Sequence, residues 1–246
     1  MCPPNHEVLK TLAVEAGYGK KKVLKEVTFE ICVREIVGLV GPNGSGKSTI
    51  LKALYGLIPV DNGTIIYLGK EIQNRPPREN LTEGICYFPQ INKVFGKLSV
   101  NENLEMGGYI LEDSNELKTR IQNSYEMFPI LKKFKSQPAG KLSGGERQML
   151  SLAMGLIVKP TLMLLDEPSV GLAPKIIDSL FQEIRELNQK LGTTILIVEQ
   201  NVRQLLKIAS RSYVLKLGHV IFEERRVDDR SENNIRQHFF DEKGGI

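Results

Sequence analysis

Residues 41 to 48 read Gly41-Pro42-Asn43-Gly44-Ser45-Gly46-Lys47-Ser48 and fit G-x-x-x-x-G-K-[ST] at every defined position. An apolar run, Ile36 to Val40, leads in, and a helix-like run, Ser48 to Leu54, leads out. The glycines let the backbone curl so that successive N–H groups point at an anion. The helix that follows adds the partial positive charge of its N-terminus. Gly-rich turns also precede helices for purely structural reasons, but a buried strand before the loop and Lys-Ser after it favour a phosphate cradle. Gly41, Pro42, Asn43, Gly44, Ser45, Gly46, Lys47, Ser48 and Thr49 are therefore expected to hold a nucleoside triphosphate. Lys47 would reach the β- and γ-phosphates, and the Ser48 hydroxyl would help to hold Mg2+.

The chain has 246 residues, 41% of them hydrophobic and 25% charged, as in an ordinary soluble globular protein. Its net charge of +4 is no argument for a nucleic-acid partner. No Trp is present, so an aromatic platform for single strands is not expected. Cys2, Cys32 and Cys86 have neither a metal-ligand spacing nor a disulfide framework, which reads as a reducing cytoplasm. The sequence contains no run of about 18 apolar residues and no signal-peptide pattern, so any tie to a membrane is expected to run through a partner.

Val8 to Val14 and Val23 to Val33 read as strands, the second with Val27, Phe29, Ile31 and Val33 on one face. Between them Gly17-Tyr18-Gly19 is a turn that presents Tyr18, on which a nucleotide base would stack. Pro59 to Gly63 reads as a turn, Thr64 to Leu68 as a strand, and Arg75-Pro76-Pro77-Arg78 as a loop that no helix tolerates. The buried run Gly84 to Phe88 ends at Gln90, a candidate ligand of Mg2+ or water.

From Leu98 to Pro138 the pattern turns helical, opening on a capping box of Ser99 and Glu102. Leu142-Ser143-Gly144-Gly145-Glu146 then starts an amphipathic helix, and its N-terminus with the Ser143 hydroxyl makes a second anion site. One nucleotide does not need two cradles in one chain, so the second is expected to close over a nucleotide held by another subunit. Thr161 to Leu165 is a strand buried on both faces, ending in Asp166-Glu167-Pro168. Two carboxylates there are costly unless they meet a cation or move protons. Asp166 would hold Mg2+ through water, and Glu167 would act as general base on the attacking water. Pro174 to Leu191 reads as a helix, Thr193 to Val198 as a buried strand followed by Glu199-Gln200-Asn201, and Arg211 to Leu217 and His219 to Phe222 as strands.

With these motifs in this order the chain resembles the nucleotide-binding subunits of ABC transporters over about residues 8 to 241. Tyr18 matches the A-loop aromatic, Gly41 to Ser48 Walker A, and Gln90 the Q-loop. Leu142 to Glu146 match the signature, Leu162 to Glu167 Walker B, and Ser169 to Ala173 the D-loop. The resemblance implies a single ABC ATPase domain: an α/β P-loop NTPase core, an antiparallel β subdomain and a helical subdomain near 95 to 155, with a short helix near 232 to 240. It also implies that ATP and Mg2+ are bound between two chains meeting head to tail. Ser143, Gly144, Gly145 and Glu146 of one chain would then close on the nucleotide of the other, and hydrolysis would drive membrane subunits.

Asp166 to Lys175, Val198 to Asn201, Val94 to Gly96 and Asn101 to Gly108 resemble branched-chain amino-acid importer ATPases, the LivF type in particular. Related amide or urea importers and the ATPase of lipopolysaccharide export are the alternatives. Soluble ABC ATPases of DNA repair carry long coiled-coil insertions that this chain lacks, and translation-associated members normally carry two cassettes. The switch position, normally His, is Gln200, which can hydrogen-bond the γ-phosphate or water but carries no charge. The D-loop Asp is replaced by Ala173. The implied partners are a second, related ATPase chain in a heterodimer (a homodimer for the isolated chain is the alternative), two membrane permeases and a solute-binding protein. The implied location is the cytoplasmic face of the membrane.

Overall fold

A computed structural model describes residues 2–3, 6–90, 94–225, 228 and 230–240, with backbone alone at 239 and 240. The first half comprises β1 Glu7–Tyr18, β2 Lys21–Cys32, β3 Ile36–Val40, α1 Lys47–Tyr55, β4 Val60–Tyr67, β5 Lys70–Glu71, α2 Pro77–Thr82 and β6 Ile85–Phe88. Helices follow: α3 Val100–Gly107, α4 Ser114–Met127, α5 Pro129–Lys133 and α6 Gly144–Leu156. The remainder is β7 Leu162–Asp166, α7 Pro174–Leu191, β8 Thr194–Glu199, α8 Val202–Leu206, β9 Arg211–Lys216, β10 His219–Glu224 and α9 Ser231–Phe240.

Two sheets form. One is antiparallel, in the order β2-β1-β4-β5. The other runs β10-β9-β3-β8-β7-β6, with β10 antiparallel at its edge and the remaining strands parallel. Side chains alternate across each strand, so the buried strands divide their residues between two cores. Val37, Leu39, Leu162, Leu164, Leu196 and Val198 pack with α1 and the antiparallel sheet. Ile36, Val40, Met163, Leu165, Ile195 and Ile197 face α3 to α8. Five parallel strands ending on one side bring the loops after β3, β6, β7 and β8 together, the usual ligand position in such sheets.

β3 packs tightly against α8 and β9. A Cβ on Gly38 would stand 2.6 Å from the Leu205 side chain of α8 and 2.7 Å from Ser212 Oγ. At α3, Ser99 Oγ accepts from Glu102 N at 3.2 Å while Glu102 Oε2 accepts from Ser99 N at 2.7 Å, the expected capping box.

Several expectations are corrected. Cys2 and Cys32 form a disulfide across 30 residues, leaving Cys86 as a buried free thiol. Strand pairing creates it: β1 lies antiparallel to β2 with Glu7 opposite Cys32, which carries the N-terminal segment past the end of β2. The argument from scattered cysteines to a reducing compartment therefore loses its support. Val33 is 45% exposed, because β2 ends at Cys32 and the chain turns at Arg34, φ 62°, into β3. Asp61 to Gly63 belong to β4 rather than to a turn; β1 and β4 shift register there, opposite Glu15 and Ala16. Gly63 is needed at that irregularity, since its φ is 86° and a Cβ would lie 2.3 Å from the Ala13 carbonyl oxygen. Pro77 opens α2 instead of excluding a helix, because a first-turn position has no N–H partner to lose.

Candidate nucleotide site

Gly44 and Gly46 take positive φ, 79° and 108°, which curls the loop between β3 and α1. Nothing stands within 4 Å of where a Cβ on Gly44 would be, so the loop presents open backbone outward. On the inner side a Cβ on Gly41 would lie 2.1 Å from the Leu215 carbonyl oxygen, which fixes the loop against β9. Among the described residues the buried Ser45 Oγ has no hydrogen-bond partner; it lies on this inner side of the loop, 2.7 Å from the same added Cβ on Gly41. Lys47 is 5% exposed, and its Nζ donates to Gly41 O at 2.9 Å and Pro42 O at 3.1 Å. It lies 3.8 Å from Glu167 Oε1. Burial lowers its pKa from the usual lysine value, opposed by the charges of Glu167 and Asp166.

Asp166, at the end of β7, is held on both oxygens. Ser48 Oγ donates to Oδ1 at 2.8 Å and Tyr87 Oη donates to Oδ2 at 2.9 Å. Burial raises the Asp166 pKa, and those two hydrogen bonds oppose the rise. Hard oxygen donors of this kind suit Mg2+, which takes one or two protein ligands and fills its octahedron with phosphate and water. Tyr87 was not anticipated. It reaches Asp166 only because β6 pairs in parallel with β7, Tyr87 beside Leu164, a neighbourhood that no local pattern announces.

Glu167 adopts the left-handed conformation, φ 46°, and its N–H donates to Val198 O at 2.9 Å. Gln90 Nε2 donates to its Oε2 at 2.7 Å and Gln200 Nε2 to its Oε1 at 2.9 Å. Two glutamines from distant loops thus fix the carboxylate between them. With Tyr18, Lys21, Val23, Asn43, Gly44 and the residues Gly46 to Thr49, these three side chains border a cavity of about 490 Å³, within the usual range of ligand pockets. Tyr18 is 48% exposed at the end of β1, with Lys52 Nζ 5.9 Å from its ring centre.

Ser143, Gly144, Gly145 and Glu146 do not border this cavity. Ser143 caps α6: its Oγ accepts from Glu146 N at 3.3 Å, and Glu146 Oε2 accepts from Ser143 N at 2.7 Å. The Glu146 carboxylate thereby closes a capping box with Ser143, for which Ser-x-x-Glu is the usual spacing. Gly145 packs toward α7, where an added Cβ would meet Ile176 at 2.9 Å.

Comparisons with known proteins agree with this geometry. The family model described as ABC transporter matches residues 24–170. A relative from Archaeoglobus fulgidus, "Probable branched-chain amino acid transport ATP-binding protein LivF", is 43% identical over 215 residues, 87% of this chain and 91% of its own length. "High-affinity branched-chain amino acid transport ATP-binding protein BraG" of Pseudomonas aeruginosa is 42% identical over 86% of this chain and 90% of its own. A crystal structure of a nucleotide-free ATP-binding cassette from an ABC transporter superposes with a TM-score of 0.83 at 27% identity, covering 92% of this chain and 94% of that one. With a phosphate loop, a fixed carboxylate pair and this likeness along nearly its whole length, the chain belongs to the ABC transporter ATP-binding family and is an ATPase coupled to transport.

Proposed function

We propose that this chain binds ATP with Mg2+ at the loop between β3 and α1 and powers the uptake of branched-chain amino acids. The observation that carries the catalytic reading is the pair of amides on Glu167. A carboxylate fixed on both oxygens beside the phosphate loop is oriented to accept a proton from water. Mg2+ supplies charge neutralisation at the phosphates when bound. Ser48 and Asp166 hold that ion, Lys47 turns from the Gly41 and Pro42 carbonyls to the phosphates, and the ring of Tyr18 supports the base. Gln200 orients the water or γ-phosphate by hydrogen bonding, without the charge that a histidine could carry.

The Ser143 to Glu146 turn lies off the cavity, which supports a composite site completed across a head-to-tail dimer. Its other half would come from a distinct, related ATPase chain, with two permeases and a solute-binding protein completing the transporter at the cytoplasmic face of the membrane. No helix among the described residues is long and apolar enough to cross a membrane, so attachment would run through those permeases. The solute class rests on the two relatives described as branched-chain amino acid transport proteins. Reconstitution with candidate permeases and binding proteins tests it: leucine, isoleucine or valine should stimulate ATP hydrolysis. Stimulation by amides or urea alone would overturn the solute assignment.

A further inference from the structure

The mechanism above leaves one buried acid without a role. Glu199, the last residue of β8, is 1% exposed. Its Oε1 accepts from Ser169 N at 3.0 Å, in the loop that follows Glu167, and its Oε2 accepts from Gln200 N at 3.2 Å. The preceding residue, Val198, takes the N–H of Glu167 on its carbonyl at 2.9 Å. The end of β8 therefore grips three things together: the backbone of the general base, the loop after it, and the backbone of Gln200.

This grip has a chemical cost that needs a reason. Burial raises the Glu199 pKa, and hydrogen bonds from Ser169, Asn201 and Gln200 only partly oppose that. A buried acid serving packing alone would be replaced at little loss by an apolar residue. An acceptor with two oxygens, by contrast, joins two backbone N–H groups that neither loop can satisfy internally.

We infer that Glu199 is a positioning residue for hydrolysis, holding Gln200 and the Ser169 to Ala173 loop in one fixed relation to Glu167. It does not border the cavity. It acts through Gln200, whose amide meets Glu167 Oε1 at 2.9 Å, and through Ser169, which opens the segment leading to α7. Because both loops hang on one carboxylate, a displacement of the Ser169 loop is passed directly to Gln200. The inference rests on the reading of Glu167 as general base.

The test compares Glu199→Gln, which keeps the shape and one oxygen, and Glu199→Ala with the wild-type chain, each assembled in the reconstituted transporter. ATP binding is followed by a fluorescent nucleotide and hydrolysis by phosphate release. A misplacement of about 1 Å in a reacting group costs on the order of 100-fold, so Glu199→Ala should lower kcat at least about tenfold, with Glu199→Gln in between. The nucleotide Kd should stay within about twofold, since Glu199 does not border the binding loop. The decisive measurement is a double-mutant cycle with Gln200→Ala. Once Glu199 is removed, removing the Gln200 amide should cost little more. Independent, multiplying effects, or a full kcat in both Glu199 variants, would overturn the inference. A Glu167→Gln chain that hydrolyses ATP at the wild-type rate in the same reconstituted transporter would instead overturn the reading of Glu167 beneath it.

Discussion

Gln90 Nε2 lies 2.7 Å from Glu167 Oε2, a hydrogen bond that spans 77 residues and ties the end of β6 to the end of β7. It is matched on the other oxygen by Gln200, so rotation of the Glu167 carboxylate is blocked from both sides. The left-handed backbone at Glu167 is kept by this surrounding structure, as strained residues at functional sites usually are.

Glu167→Gln should keep ATP binding and lose hydrolysis by about 100- to 10,000-fold, the usual worth of a general base. Gln90→Ala should lower kcat by a smaller factor with little change in nucleotide Kd. Phosphate release beside equilibrium nucleotide binding reads both. Undiminished turnover in Glu167→Gln would refute the assignment of the base.

Lys47→Ala should act on binding itself. A hydrogen bond to a charged group contributes about 1.5–3 kcal/mol, which corresponds to roughly a 10- to 150-fold weaker Kd for ATP. Isothermal titration with ATP and Mg2+ measures it, and an unchanged Kd would remove Lys47 from the phosphate site.

Tyr87→Phe deletes one oxygen and leaves the ring that packs 5.6 Å from Tyr55. Asp166 then loses the donor on Oδ2, and its carboxylate is free to turn away from Ser48. The Mg2+ concentration for half-maximal nucleotide binding should rise several-fold, about 1 kcal/mol for one hydrogen bond, while melting temperature moves little. No change in the Mg2+ requirement would mean that Asp166 is oriented without Tyr87.

Closing a loop of 30 residues, the Cys2–Cys32 bridge should contribute about 2–4 kcal/mol by restricting the unfolded chain. Thermal denaturation should show a lower melting temperature after addition of reductant, and Cys2→Ser should lie at that lower value whether or not reductant is present. Equal melting temperatures under both conditions for the wild type would exclude a stabilising bridge.

Local chemistry determined much of this protein. The loop from Gly41 to Ser48, the capping box at Ser99 and the helix begun by Pro174 depend on residues a few positions apart, so their spacing alone specifies them. The doubly buried run before Asp166 likewise identified a central parallel strand. Tertiary structure decided what lies between distant segments. The hydrogen bond from Tyr87 to Asp166, the disulfide of Cys2 with Cys32, and the grip of Glu199 on Ser169 and Gln200 all arise from strand order and register. Those are fixed by which apolar faces bury against each other across the whole chain. A short window of sequence carries its own turn and cap preferences, but it does not carry the identity of its neighbour in the sheet.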